Sequence, residues 1–290
     1  MLRGEGDAFV IYPTNEDPEP SLSGSPSPER QHQTRDHLVQ FYCEDDQLLA
    51  SLQRVVGGAL GSGDSAVVVA TEEHRRGLAK RLKWCGIDLQ FAQACGRYYE
   101  VDAATVLESL EGHHTPLDFQ ELLQNTVFRP DCPVPVDNAG MLVFGEVVGL
   151  MWERNRRQEA VRLEDFWNRF QATRPFTLLC AYPVRRFHVL EDLEPFTEVC
   201  AAHSAIVSDD ARISIVSEWR QSGKQPQWVL LHKSAMLEPD QDRLFKKVEA
   251  AEAAILTQIE KSAPYSRAQR NLLDALARLL ILKRQKLNFN

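Results

Sequence analysis

In the stretch DDQLLASLQRVVGGAL, positions 48, 49, 52, 55, 56 and 60 are apolar, which is the spacing of one face of a helix. Gly57, Gly58, Gly61 and Gly63 crowd the end of that face and are expected to break it. SAVVVAT follows, short, β-branched and continuously apolar, as a strand buried on both faces must be. Thr71 is placed to cap the next helix, EEHRRGLAKRLKWCG, with Glu72 and Glu73 in its first turn. The alternation continues. RYYEV (97–101) predicts a strand, Asp102 an N-cap for AATVLESL, and residues 116–128 a helix. NAGMLVFGEV (138–147) holds a buried strand, 146–172 a helical region, FTLLCAYP (176–183) a further strand and PFTEVCAAHSAIV (195–207) a helix with Pro195 at its first position. Upstream of all of these, HLVQFY is apolar and aromatic.

Strands that alternate with helices predict parallel βαβ units. The fold class expected is α/β: a three-layer αβα sandwich on a mainly parallel sheet, with a C-terminal helical extension. Past residue 208 the pattern changes. RISIVSEW and QWVLLH read as two strands flanking the turn QSGKQP. Two amphipathic stretches follow, with apolar positions 244, 248, 251, 255 and 259 and then Leu272, Leu273, Leu276, Leu279 and Leu280, separated by Pro264. They suggest a helical hairpin over 240–286 that packs on a partner, on a second copy in a homo-oligomer, or on its own domain. The domains read are a disordered tail (1–36), an α/β domain (37–208) and the extension (209–290). The tail carries five of the fifteen prolines and little to bury.

Composition narrows the function classes. The chain has 290 residues and a net charge of −8, which argues against a nucleic-acid binder. The basic run LKRQK near the C-terminus suits a helix end and carries no reading motif. No apolar run is long enough for a membrane span, and the N-terminal stretch lacks the pattern of a signal peptide, so a cytoplasmic protein is expected. Six scattered cysteines without a CxxC are expected to be free thiols.

GALGSGDSAVVVAT has the outline of a nucleotide-binding loop. A phosphate loop, however, follows its strand and carries a lysine. Here the glycines precede the strand, and the residues after it, TEEHRRG, place two acids where phosphates would sit. A layout like that of a RecA-type ATPase is left, without its machinery. Glu146, at the end of LVFGE, stands where such an enzyme keeps its magnesium-binding acid.

HLVQFYCEDDQLL, GSGDSAVVVATEEHRRGLAKRL, GRYYEVDAATVL, VFGEVVGLMWERNRRQEAVRLEDFWNRF, RPFTLLCAYPV and VCAAHSAIV occur in that order over 37–207. This set resembles the MEDS domain, the methanogen/methylotroph sensory domain of a dichloromethane-responsive regulator. The resemblance implies a RecA/KaiC-like fold without ATPase motifs and a bacterial role in signal transduction and transcriptional regulation. It implies a small, hydrocarbon-like signal and no catalysis. The helix-turn-helix, kinase or PAS modules often fused to this domain are not visible, so output is expected through the C-terminal helices or a partner. GHHTPLDF echoes a phospho-acceptor box, but no kinase domain follows it. The alternatives kept are a ligand-free scaffold or oligomerisation module and a divergent nucleotide-binding enzyme.

The candidate ligand-binding residues are His37, Phe41, Tyr42, Thr71, His74, Asp102, Glu146, Trp152, Glu164, Trp167 and Tyr182. Glu146, Thr71, His74 and Asp102 lie at carboxyl ends of strands, where open α/β sheets bind ligands. Trp152 and Trp167 can wall an apolar pocket, although Trp167 shares helix-core spacing with Leu163 and Phe170. Glu164 has the basic run Arg154, Arg156 and Arg157 as candidate partners. Cys200 and His203, with Cys180 and His188 near in sequence, have a spacing that can share zinc. A buried cysteine beside a helix-end histidine is the preferred reading of the pair, and no metal, cofactor or catalytic residue is expected.

Overall fold

The computed structural model of the chain describes residues 36–110, 116–126, 140–186, 192–207 and 226–287. The tail, the strand expected at RISIVSEW, the phospho-acceptor echo around His113 and His114, and His188 lie outside the described residues.

Strands β1 (His37–Tyr42), β2 (Ser65–Ala70), β3 (Tyr98–Asp102), β4 (Met141–Gly145), β5 (Thr177–Pro183) and β6 (Ala205–Ile206) form one parallel sheet in the order β3-β2-β4-β5-β1-β6. Side chains alternate across it. Val39, Phe41, Val67, Val69, Val143, Leu178, Cys180 and Tyr182 enter one core, and Tyr42, Ala66, Val68, Ala70, Leu142, Phe144, Leu179 and Ala181 enter the other. Both faces are covered, which is why these strands read as unbroken apolar runs.

Helices α1 (Asp45–Gly61), α2 (Glu72–Trp84) and α3 (Leu89–Ala94) cover the second face. Helices α4 (Ala103–Ser109), α5 (Pro116–Thr126), α6 (Val147–Glu153), α7 (Arg157–Thr173) and α8 (Leu193–Ala202) lie over the first. The result is the expected α/β sandwich with an all-parallel sheet. Thr71 and Asp102 cap α2 and α4 as expected, accepting from the backbone N–H of His74 and Thr105. Helices α9 (Gln227–Met236), α10 (Gln241–Lys261) and α11 (Arg267–Leu287) complete the described chain, with α11 against α8, β1 and β6.

Several local expectations are corrected. Helix α1 runs through Gly57 and Gly58 to Gly61, because glycine in a last turn costs little beside the apolar face that α1 buries. The helical region 146–172 is two helices, parted at Asn155, whose φ is +58°. Ala205 and Ile206 leave the helix expected over 195–207 to pair with Leu38 and Val39 as β6. Helix α8 starts at Leu193, so Pro195 lies inside its first turn. QWVLLH is helical, with Trp228 and Ala235 buried seven residues apart on one side. Both apolar stripes of 240–286 are buried in the first core, so these faces pack on their own chain.

Candidate functional site

The connection after β2 runs to the second face and the one after β4 to the first, so these neighbouring strands open a crevice at their carboxyl ends. Ligands of open α/β sheets bind at such switch points. The crevice holds a buried network. The backbone N–H and the hydroxyl of Thr71 both donate to Glu146 Oε2, at 2.9 and 3.3 Å. His74 Nδ1 lies 2.7 Å from Glu146 Oε1. On its far side, His74 Nε2 stands 3.6 Å from Asp45 Oδ1, and the Tyr42 ring meets His74 edge-on. Glu146 and His74 are 3% and 7% exposed, so little water competes for these contacts.

Burial works against the charged His74 ring, but the hydrogen bond and charge of Glu146, with Asp45 behind it, outweigh that and raise its pKa. Burial, with Glu146 next in size, pushes the Tyr42 hydroxyl far up. The Glu146 carboxylate thus lies against the N-terminal turn of α2, where a bound anion would otherwise sit.

Across Gly145 from this network is a small apolar chamber of about 10 Å³, room for one water-sized sphere. Val69, Val106, Phe119, Gly145, Leu163 and Trp167 are among its walls. Trp167 also packs on Phe119, Phe170 and Phe176, so the pocket and core readings both describe it. Trp152 instead lies edge-to-face on Tyr182. Phe41 packs on Tyr182 and Phe196. Asp102, at the end of β3, accepts from Arg75 at 2.8 Å besides capping α4.

The remaining candidates meet elsewhere, between the sheet and α7–α8. Glu164 is fully buried and accepts from the Tyr182 hydroxyl at 2.5 Å and from the Cys180 thiol at 3.3 Å. His37 Nε2 is 3.1 Å from Glu164 Oε2 and 3.5 Å from Cys180 Sγ. His203 Nε2 is 3.6 Å from Glu164 Oε1, and the two imidazole rings are 4.0 Å apart. Burial alone would raise the Glu164 carboxyl; His203, His37 and the Tyr182 hydroxyl more than offset it and hold the pKa at about 2. Burial brings His203 down to about 3.

The expected pairing of Glu164 with the basic run does not form. Arg156 bonds Glu159 and Arg157 bonds Asp192. The eleven candidates therefore divide into a crevice set (Tyr42, Thr71, His74, Glu146), a buried donor set (His37, Glu164, Tyr182), and Phe41, Asp102, Trp152 and Trp167 in separate packing or capping roles. The sequence reading missed Asp45 and Asn168; of the soft ligands it grouped, Cys180 and His203 meet, together with His37 and Glu164, while Cys200 is not in that group and His188 lies outside the described residues. Glu164 and Asn168 stand four apart on α7, a spacing that puts both polar groups on one helix face.

Among the described residues, no helix is long and apolar enough to cross a membrane. No curated protein and no solved structure matches the chain. The family described as "MEthanogen/methylotroph, DcmR Sensory domain" matches residues 36–191, more than half of the chain. The chain therefore belongs to the MEDS family of sensory domains.

Proposed function

We propose that this sensory protein takes a small, apolar, uncharged signal into the chamber beside Gly145 and relays its presence through the α8–α11 contact, without catalysis. The observation that carries the reading is the position of the chamber. It is apolar, enclosed by β2, β4 and α4–α7, and one residue from the buried Glu146–His74–Thr71 network at the switch point. A molecule that widens the chamber pushes on Gly145 and α6, and so on the Glu146 backbone. Binding shifts the equilibrium only as far as the signal prefers one state. Helix α8 packs on both α7 and α11, which gives the first core a physical route to the C-terminal helices. The reading also includes a RecA/KaiC-like ancestry, a cytoplasmic bacterial setting and an output in transcriptional regulation. These rest on the resemblance of the sequence motifs.

The Thr71 hydroxyl accepts from the His74 backbone N–H as the cap of α2 while it donates to Glu146, so its bonds serve the helix end, which supports a reading without catalysis. Glu146 already holds the α2 N-terminus, which supports a reading without nucleotide.

One observation favours the scaffold alternative. Trp84 and Phe91 are 91% and 60% exposed, beside an open groove lined by Lys80, Lys83, Ile87 and Leu89. Exposed apolar groups of this kind suit a protein partner or a second copy.

The test is a thermal-shift panel on the whole chain with small alkanes, alcohols, halogenated compounds and Mg-ATP, repeated on Val106→Ile. A native-state ligand raises the apparent stability. The expected result is a shift with one apolar class, reduced or lost in Val106→Ile because the added methylene takes up the small chamber, while circular dichroism is unchanged. A shift with Mg-ATP alone overturns the reading. A flat panel favours the scaffold.

A further inference from the structure

We infer that His37, Glu164, Cys180 and His203 form a binding site for one divalent transition-metal ion of the zinc class, buried between the sheet and α7–α8. These four side chains offer donor atoms that all lie within 4.8 Å of one another, and all four residues are buried. A tetrahedral ion with bonds of about 2.0–2.3 Å keeps its ligand atoms about 3.3–3.7 Å apart. Three edges already approach that figure: His37 Nε2 to Glu164 Oε2 at 3.1 Å, Glu164 Oε2 to Cys180 Sγ at 3.3 Å, and His37 Nε2 to Cys180 Sγ at 3.5 Å. The fourth donor, His203 Nε2, is 3.6 Å from the other Glu164 oxygen. It is fully buried, and within the described structure it makes no hydrogen bond.

The surroundings orient both imidazoles for this task. His203 Nδ1 is 2.6 Å from the backbone carbonyl of Val199, which can only accept. The proton of His203 is therefore on Nδ1, and Nε2 presents a lone pair. Asn168 Nδ2 donates to the Ala202 carbonyl at 3.0 Å, which turns Asn168 Oδ1 toward His37 Nδ1 at 2.9 Å. His37 is thereby fixed in the same sense. Metal-bound histidines are held in this way, with the outer N–H donated to a carbonyl or amide oxygen. The Tyr182 hydroxyl similarly braces Glu164 Oε1.

Charge points the same way. Two neutral imidazoles, one carboxylate and one thiolate sum to −2, so a divalent ion makes the dry site neutral. Binding sends the Cys180 proton to water, and the metal–sulfur bond replaces the thiol's hydrogen bond to Glu164. Without an ion, the Nε2 lone pairs of both rings face a buried carboxylate.

The experiment uses the whole chain, expressed with added zinc and purified without chelators. Metal is quantified by mass spectrometry. A second sample is unfolded, refolded with Co²⁺ and examined by absorption. The expected result is about one zinc per chain, and for cobalt a tetrahedral d–d spectrum with a thiolate charge-transfer band. Cys180→Ser, nearly the same shape, should lose the charge-transfer band while keeping its circular dichroism. His203→Gln should weaken metal retention at least tenfold. Folded wild-type protein without zinc and without a cobalt spectrum overturns the inference. So does a charge-transfer band that survives Cys180→Ser, since the thiolate would then lie elsewhere, as at the exposed Cys85 or Cys95. None of these outcomes depends on whether an apolar signal binds near Gly145.

Discussion

Replacing Glu146 by Gln removes the charge facing His74 and keeps the shape of the side chain. Its Oε1 is 2.7 Å from His74 Nδ1, and both groups are nearly out of contact with water. A hydrogen bond to a charged group contributes about 1.5–3 kcal/mol, against about 1 kcal/mol for a neutral one. Asp45, 39% exposed at its side chain, adds a more screened attraction and remains in the variant. The double-mutant cycle of Glu146→Gln with His74→Gln is therefore expected to give a coupling of about 2 kcal/mol when His74 is charged.

The sign with pH follows from linkage. His74 is raised in the folded state, so its contribution is complete below the unfolded histidine pKa of about 6.5. It is lost as pH rises through the folded value. Urea unfolding of the four proteins should thus give the full coupling near pH 5.5, falling toward about 1 kcal/mol or less near pH 9. In melting temperature, Glu146→Gln should cost about 4–8 °C at the lower pH. A coupling equal at both pH values would refute the argument that Glu146 holds His74 as an imidazolium.

Three further sites are equally direct. At Gly149 in α6, an added Cβ would lie 2.6 Å from the Ala181 carbonyl oxygen, and backbone cannot step aside, so Gly149→Ala should cost about 1–3 kcal/mol by urea unfolding. Gly58→Ala, in α1 with nothing within 4 Å, should instead stabilise by about 0.5–1 kcal/mol. Asp102→Ala removes a cap and the partner of Arg75, and should cost about 1–2 kcal/mol near neutral pH. The Thr105 N–H, then Arg75, lower the Asp102 pKa, so this difference should hold above about pH 4 and vanish as pH falls through the depressed value.

The strands were legible where apolar runs were long. SAVVVA, MLVFG and TLLCAYP are buried on both faces, and their composition says so. Ala205–Ile206 was not legible, because two residues carry no period and their pairing with β1 is non-local. QWVLLH failed for another reason. Its β-like composition is overridden by packing, with Trp228 and Ala235 turned to one side of a helix. At the site, the sequence places Thr71, His74 and Glu146 at strand ends, but only the adjacency of β2 and β4 brings them into contact. The donor set was harder still. His37, Glu164, Cys180 and His203 come from β1, α7, β5 and the end of α8, and no spacing in the chain links four elements.

The carboxyl edge of the sheet carries its own negative charge at the turns that follow β1, β2 and β4. Glu44, Asp45 and Asp46 follow β1, Glu72 and Glu73 follow β2, and Glu146 follows β4. Helix N-termini attract anions, and phosphate-binding folds leave theirs open to the ligand. Here the chain supplies the carboxylates itself, and Glu146 takes the Thr71 N–H that a phosphate would need. An anionic ligand would have to displace that carboxylate and then sit among its neighbours' charges. A neutral apolar molecule meets no such obstacle, and the walls around Gly145 offer it only hydrocarbon and aromatic surface. The same residues that fill a phosphate site thus bias the switch point against anions, which is consistent with the uncharged signal proposed.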